Sequence, residues 1–311
     1  MSSRKKVVLS LDAELIWGFH DQDDIPAEQV RHARDSWLYT LDLFDRYGVP
    51  ATWAVVGHLF LDSCDGVHAD HPAGAEWFAR DPGGTATPDS EWFGGELIDA
   101  IRDSEVDHDV GSHTFSHVEF GRSDVSKEVA RAELEYSVGV ADEYDLEFAS
   151  FVFPRNNVGH RELLADYGFS CYRGVAPERW YDGTPVRRMG KFATFALGTG
   201  SPPIVDPELD EYGLVDVPAS MYLFSFEGLA SDIAGGVTGD PVVSQVELGL
   251  DKLRERGDGT LHLWFHPNNL TSAEDRRRLE QIVSRVAEYR DQYDVAVQTM
   301  SRVADEVRAR G

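Results

Sequence analysis

Cysteine is scarce in this chain: Cys64 and Cys171 are the only two in 311 residues. With no Cys-x-x-Cys pair and no Cys/His cluster in the sequence, a disulfide framework and a zinc ribbon are excluded, and two free thiols in a reducing compartment are expected. Basic charge is also short. The 29 Lys and Arg, only five of them Lys, face 55 Asp and Glu, for a net charge of −26. Such a chain has no basic face to offer phosphates, which excludes nucleic acid as a partner. Long apolar runs are missing as well, so no membrane span is expected. The first residues, Met1 to Lys6, carry positive charge, but Asp12 and Glu14 follow too soon for the apolar heart of a signal peptide. A cytoplasmic protein is the expectation.

Self-repulsion at this charge is costly at low ionic strength, and salt relieves it once the Debye length shrinks. A cytosol rich in salt, as in an extreme halophile, is the simplest setting. The melting temperature is therefore expected to rise as potassium chloride is added toward molar concentration. A melting temperature that falls over that series removes the reading.

What is present is an alternation of short apolar runs and helical patterns. Lys6–Asp12 reads as a buried parallel strand ending in an acid, with Glu14 pointing the same way if extension persists. Pro26 opens a helix that runs to about Tyr47 and is closed by Gly48. Ala51–Gly57 is a second strand, and residues 58–90 a loop-rich insertion carrying several Pro and Gly. A helix near Phe93–Asp103 leads to a strand before His113, and Ser123 or Ser126 starts a long helix to about Tyr144. Ala149–Pro154 is again a strand. After it come a short helix from His160, a strand at Phe169–Tyr172 and a second loop-rich insertion over 175–212. Gly213–Pro218 and Leu261–Pro267 are strands, and helices cover 242–256, 273–289 and the C-terminus. Strands alternating with helices imply βα units and a parallel sheet. One catalytic domain over 1–311 is expected.

The sharpest local feature is His113-Thr-Phe-Ser-His117, directly after Gly111-Ser112. Two imidazoles four apart share a face if the chain enters a helix there, and both can then reach one metal ion. Such a zinc site needs a further ligand, usually a carboxylate, and an open position. Asp12, His113, Arg155 and His266 each fall at or just after a strand's C-terminal end, the ends that share the active face of a barrel.

With those residues in view, the chain resembles the polysaccharide deacetylase family, the NodB-homology metal-dependent deacetylases. The carrying stretches are Ser10–Gly18, Ala51–Gly57, Gly111–His117, Phe153–Asn156 and Leu261–Pro267. The resemblance implies a distorted, incomplete (β/α) barrel. It implies hydrolysis of the N-acetyl group of an amino sugar or glycan precursor, aided by a divalent metal, with zinc expected. Carried over, Asp12 takes the position of the general base and His113 and His117 those of metal ligands. Ala13 stands where the family has its adjacent second acid, and Glu14 is expected to supply the metal carboxylate; the opposite division, with Asp12 on the metal, stays open. Phe151 occupies the family's Arg position, and Arg155 is expected to approach the base carboxylate instead. Asp216 is a stand-in for a family acid that has no clear match, with a structural role the simpler reading.

In the implied reaction the metal polarises the acyl carbonyl. Asp12 takes a proton from the attacking water, a backbone N–H near Arg155 or Asn156 helps hold the oxyanion, and His266 protonates the leaving amine. His262 faces the same side as His266 in an extended strand. Of the aromatics beside these motifs, Trp17 alone is expected to stack on a sugar. The expected partner is a small-molecule or oligosaccharide substrate, and homo-oligomerisation stays open. Two other readings are kept: hydrolysis of a non-sugar C–N bond of the cyclic amide or ureide type, and a catalytically inactive glycan-binding protein.

Overall fold

A computed structural model of the chain describes residues 4–178, 200–224 and 240–310. Strand β1 spans Lys5–Ala13 and is buried along nearly its whole length, since neighbours flank it on both edges. Helix α1, Ala27–Tyr47, follows and ends at Gly48, whose φ of 59° supplies the left-handed cap. It buries Trp37, Leu41 and Phe44, and the Trp37 ring stacks on Trp53 at 5.5 Å. Strand β2 is Thr52–Val55, and a small hairpin, β3 (Ser63–Cys64) with β4 (Gly84–Thr85), lies within the 58–90 stretch. Then come α2 (Gly95–Arg102), β5 (Asp109–Ser112), α3 (Lys127–Glu143), β6 (Ser150–Val152) and β7 (Cys171–Gly174). Ser126 caps α3, its side chain accepting from the Val129 N–H.

Of the expected insertion at 175–212, residues 179–199 lie outside the described residues. The remainder holds β8 (Glu208–Leu209), which pairs antiparallel with β9 (Val215–Pro218). Next are β10 (Met221–Tyr222), α4 (Pro241–Arg256), β11 (Gly259–Phe265), α5 (Ala273–Tyr293), β12 (Ala296–Gln298) and α6 (Met300–Arg308).

Among the described residues the other ten strands form one curled sheet in the order β10-β11-β1-β2-β5-β6-β7-β9-β8, with β12 on β1, and every pair in it except β8–β9 is parallel. This is a half-barrel of α/β type. Its register aligns Leu11 with Phe265, Asp12 with Ala54, Val55 with Ser112, Ser112 with Phe151 and Val152 with Arg173. The C-terminal ends of β11, β1, β2, β5, β6 and β7 therefore sit level on one face. Four steps across a flat sheet from β1 to β7 would span about 19 Å. Yet the Arg173 guanidinium on β7 reaches the Asp12 carboxylate on β1 at 2.6 Å, so the curl folds one side of the sheet over the other.

Candidate active site

Asp12 is the last residue but one of β1 and is buried. Both of its oxygens are taken by one guanidinium: Arg173 Nη1 donates to Oδ1 at 2.6 Å and Nη2 to Oδ2 at 2.7 Å. Arg173 also donates to Ser10 Oγ and Asn156 Oδ1, and it lies over the Trp264 ring at 4.2 Å. Burial alone would raise the Asp12 carboxyl, but Arg173, with His113 and His266, outweighs it and holds the group below its ordinary value. The fork geometry matters, because a guanidinium meets a carboxylate through two parallel N–H bonds.

The approach to Asp12 expected of Arg155 is thus made by Arg173. Arg155 turns outward, with φ of 53°, and pairs with Asp21 at 2.5 Å and Glu119 at 2.8 Å. The Asn156 N–H closes its own turn onto Phe153 O at 2.9 Å, which withdraws one of the two backbone donors expected for an oxyanion. Phe151 is core. The signal for Arg173 was in the sequence: a lone cation inside the apolar run Phe169-Ser-Cys-Tyr-Arg173.

The His113–His117 segment is not helical as expected. Thr114 and His117 have φ of 63° and 65°, which stops a right-handed turn from propagating. Instead the loop is tied from outside. Buried Glu133 on α3 accepts from Ser116 N at 2.8 Å and from Ser116 Oγ at 2.5 Å. Burial pushes the Glu133 carboxyl up to about 7. Its place beside Ala130 and Ser137 on the buried stripe of α3 was a readable sign of such a role.

Tied this way, the loop turns both imidazoles toward Glu14. His113 Nε2 is 3.5 Å and His117 Nε2 3.2 Å from Glu14 Oε2, and one donor atom from each of the three lies within 4.8 Å of the others. Gly18 makes room for this carboxylate: a Cβ there would fall 2.0 Å from Glu14 Oε1.

The donor set suits a divalent cation such as zinc. His113 Nδ1 lies 2.8 Å from the Val152 carbonyl and must carry the proton to bond it. The buried Nε2 has no hydrogen-bond partner and lies 3.5 Å from a carboxylate oxygen. Burial also holds His117 below its ordinary value, so its ring is neutral despite Glu14. Two buried imidazole nitrogens beside one carboxylate are an arrangement a cation suits, and tetrahedral bonds near 2.0–2.1 Å would set such atoms roughly 3.3–3.4 Å apart.

His266 follows β11 and stands on the opposite side, its Nε2 3.6 Å from Asp12 Oδ2 and 3.8 Å from Glu14 Oε1. Its side chain is 24 % exposed where those of Asp12, Glu14, His113 and His117 are at most 4 %, so His266 is the member that faces an incoming molecule. The Tyr222 ring meets it edge-on at 5.7 Å, and Tyr222 and Trp264 pack together at 4.4 Å. His262, its look-alike in sequence, is buried: Nδ1 bonds Val217 O and Nε2 bonds Ser10 Oγ. Burial, and then Arg173, push it down to about 3, so it serves as a neutral prop for the Ser10–Arg173–Asp12 chain. Trp17, expected to meet a sugar, is fully buried and packs edge-on against Trp92. Asp216 sits beside Gly174, away from these groups, where a Cβ on the glycine would fall 1.8 Å from its Oδ1.

The profile of the polysaccharide deacetylase family matches residues 21–166, a span that includes His113 and His117. That span, a little under half of the chain, is similar to the family. Asp12, Glu14 and His266 lie outside the matched span, and the geometry above joins them to it. No curated protein matches the chain. Among solved structures, a putative polysaccharide deacetylase from Mycobacterium smegmatis is similar over 100 % of this chain and 92 % of its own, with TM-score 0.64 and 17 % identity. A probable polysaccharide deacetylase from Pseudomonas aeruginosa PAO1 covers 97 % of this chain and 90 % of its own, with TM-score 0.55 and 13 % identity. The Puue allantoinase covers 99 % and 91 %, with TM-score 0.59 and 12 % identity. At these identities the likeness is one of fold. No helix of the described residues is long and apolar enough to cross a membrane.

Proposed function

We propose that this chain is a polysaccharide deacetylase that hydrolyses the N-acetyl group of an amino sugar or glycan precursor, with a divalent metal, zinc expected, held by Glu14, His113 and His117. The observation that carries the proposal is the pairing across this triad of an ionised acid, Asp12, with a partly exposed imidazole, His266, 3.6 Å away. Bound there, the cation would supply Lewis acidity toward the acyl oxygen and a more acidic water. Asp12 accepts the proton of the attacking water; Arg173 keeps it ionised and fixes its orientation. His266 donates a proton to the departing nitrogen, without which an amine is too poor a leaving group. The Tyr222–Trp264 pair beside His266 offers a wall for a sugar ring. The setting proposed is the cytoplasm, supported by the two cysteines being free thiols, which favours a precursor over assembled extracellular polymer.

Incubation with N-acetylglucosamine oligomers is expected to release acetate, to stop with chelator and to resume with added zinc. Ring-opened product from a cyclic ureide, without acetate release from sugars, would transfer the same machinery to another C–N bond. Purified protein with no bound metal and no turnover, unaffected by chelator, would leave a glycan-binding role.

A further inference from the structure

The 58–90 stretch contains a second convergence of metal-ligating side chains, although the sequence shows no Cys/His cluster. His58, Cys64, His68 and Asp81 each place one donor atom within 4.8 Å of all the others. Three of these atoms converge on one oxygen: His58 Nε2 at 3.1 Å, His68 Nε2 at 2.7 Å and Cys64 Sγ at 3.3 Å from Asp81 Oδ2. The other Asp81 oxygen is already taken by the Gly83 N–H at 2.9 Å.

His58 leaves one ring nitrogen of the cluster without a hydrogen bond. Its Nδ1 lies 3.2 Å from the Trp92 carbonyl, so Nδ1 carries the proton when the ring is neutral. With the proton there, Nε2 keeps its lone pair 3.1 Å from an Asp81 oxygen, in a side chain with no exposure and no hydrogen-bond partner at that atom. Lone pair against lone pair at this distance is repulsive unless a cation lies between them. His113 and Glu14 present the same arrangement.

The backbone is shaped to hold the cluster. Asp65 Oδ1 accepts from Val67 N and His68 N, turning the chain so that His68, at φ of 48°, faces inward. Gly66 and Gly83 press together so closely that a Cβ on Gly66 would fall 2.8 Å from Gly83 N.

We propose that His58, Cys64, His68 and Asp81 form a second, structural site for a zinc-class divalent cation. One sulfur, two nitrogens and one oxygen complete a tetrahedron with no open position, as structural sites do, whereas the Glu14 triad leaves one. On uptake Cys64 gives its proton to solvent and becomes a thiolate, and His68 moves its N–H to Nδ1. The thiolate and the carboxylate, one negative charge each, then balance the dication, which suits a buried place. Without a cation, burial and the Asp81 and Asp65 carboxylates hold the thiol up at about 12. The cation would clamp a loop whose Trp77 donates Nε1 to Ser116 Oγ at 2.9 Å, and so brace the segment carrying His113 and His117.

Cobalt substitution of the whole protein tests this, because the Glu14 triad contains no sulfur. The expected result is two metal equivalents and a thiolate-to-cobalt charge-transfer band in the near ultraviolet. Cys64→Ser is expected to lose the band and one equivalent; His113→Ala is expected to lose one equivalent and keep the band. A wild-type cobalt spectrum without the band overturns the proposal whether or not Cys64→Ser folds, and so does a band that survives in Cys64→Ser.

Discussion

Asp12→Asn is expected to retain the metal and to lower kcat by about 10²–10⁴, the range a positioned general base contributes. Metal content should hold because the triad is built on Glu14, whose Oε2 lies 3.2 Å from His117 Nε2 and 3.5 Å from His113 Nε2, against 3.9 Å from His113 Nε2 to Asp12 Oδ2. The amide cannot take the proton of the attacking water, and it turns one N–H against Arg173, where the carboxylate accepted two bonds. Stability will drop with it, so the rate is to be normalised to folded protein. Loss of metal from Asp12→Asn together with retention by Glu14→Ala would exchange the two acids' roles.

Arg173→Met is expected to destabilise the fold by about 3–5 kcal/mol, because it strands a buried carboxylate. At this chain length the drop in melting temperature is on the order of 10 °C. The same substitution removes donors to Ser10 and Asn156 and the cation over Trp264, so the damage spreads along the face. Combining it with Asp12→Leu should recover most of the stability and none of the activity, since removing both partners leaves no orphaned charge. Thermal melts of the two single variants and the double variant measure this coupling. A single Arg173→Met variant as stable as the parent would show that the ion pair is not what holds Asp12.

Several elements were readable because their signals are local. The apolar run into Asp12, the Gly-Ser before His113 and the apolar strand ending at His266 each declare a strand end within a few residues. Alternation with helices then implies a parallel sheet whose ends meet. Local spacing misled at His113–His117, where a helical turn was expected. Glu133, from the next helix, holds the Ser116 N–H and hydroxyl, and Thr114 and His117 adopt left-handed backbone. Trp17 was misjudged for a related reason: proximity in sequence to a site says nothing about which way a ring packs.

By itself, the sequence determined the excess of acid over base, the alternation of strands and helices, and the presence of Asp12, Glu14, His113, His117 and His266 at strand ends. Only the tertiary structure decided that Arg173 rather than Arg155 meets Asp12, that Glu133 props the histidine loop, and that His58, Cys64, His68 and Asp81 converge. The reason is the same in all three. A strand end is encoded by neighbours along the chain, but a partner for a buried charge is chosen by the curl of the sheet and the path of a loop, which bring together residues whose separation in sequence carries no period.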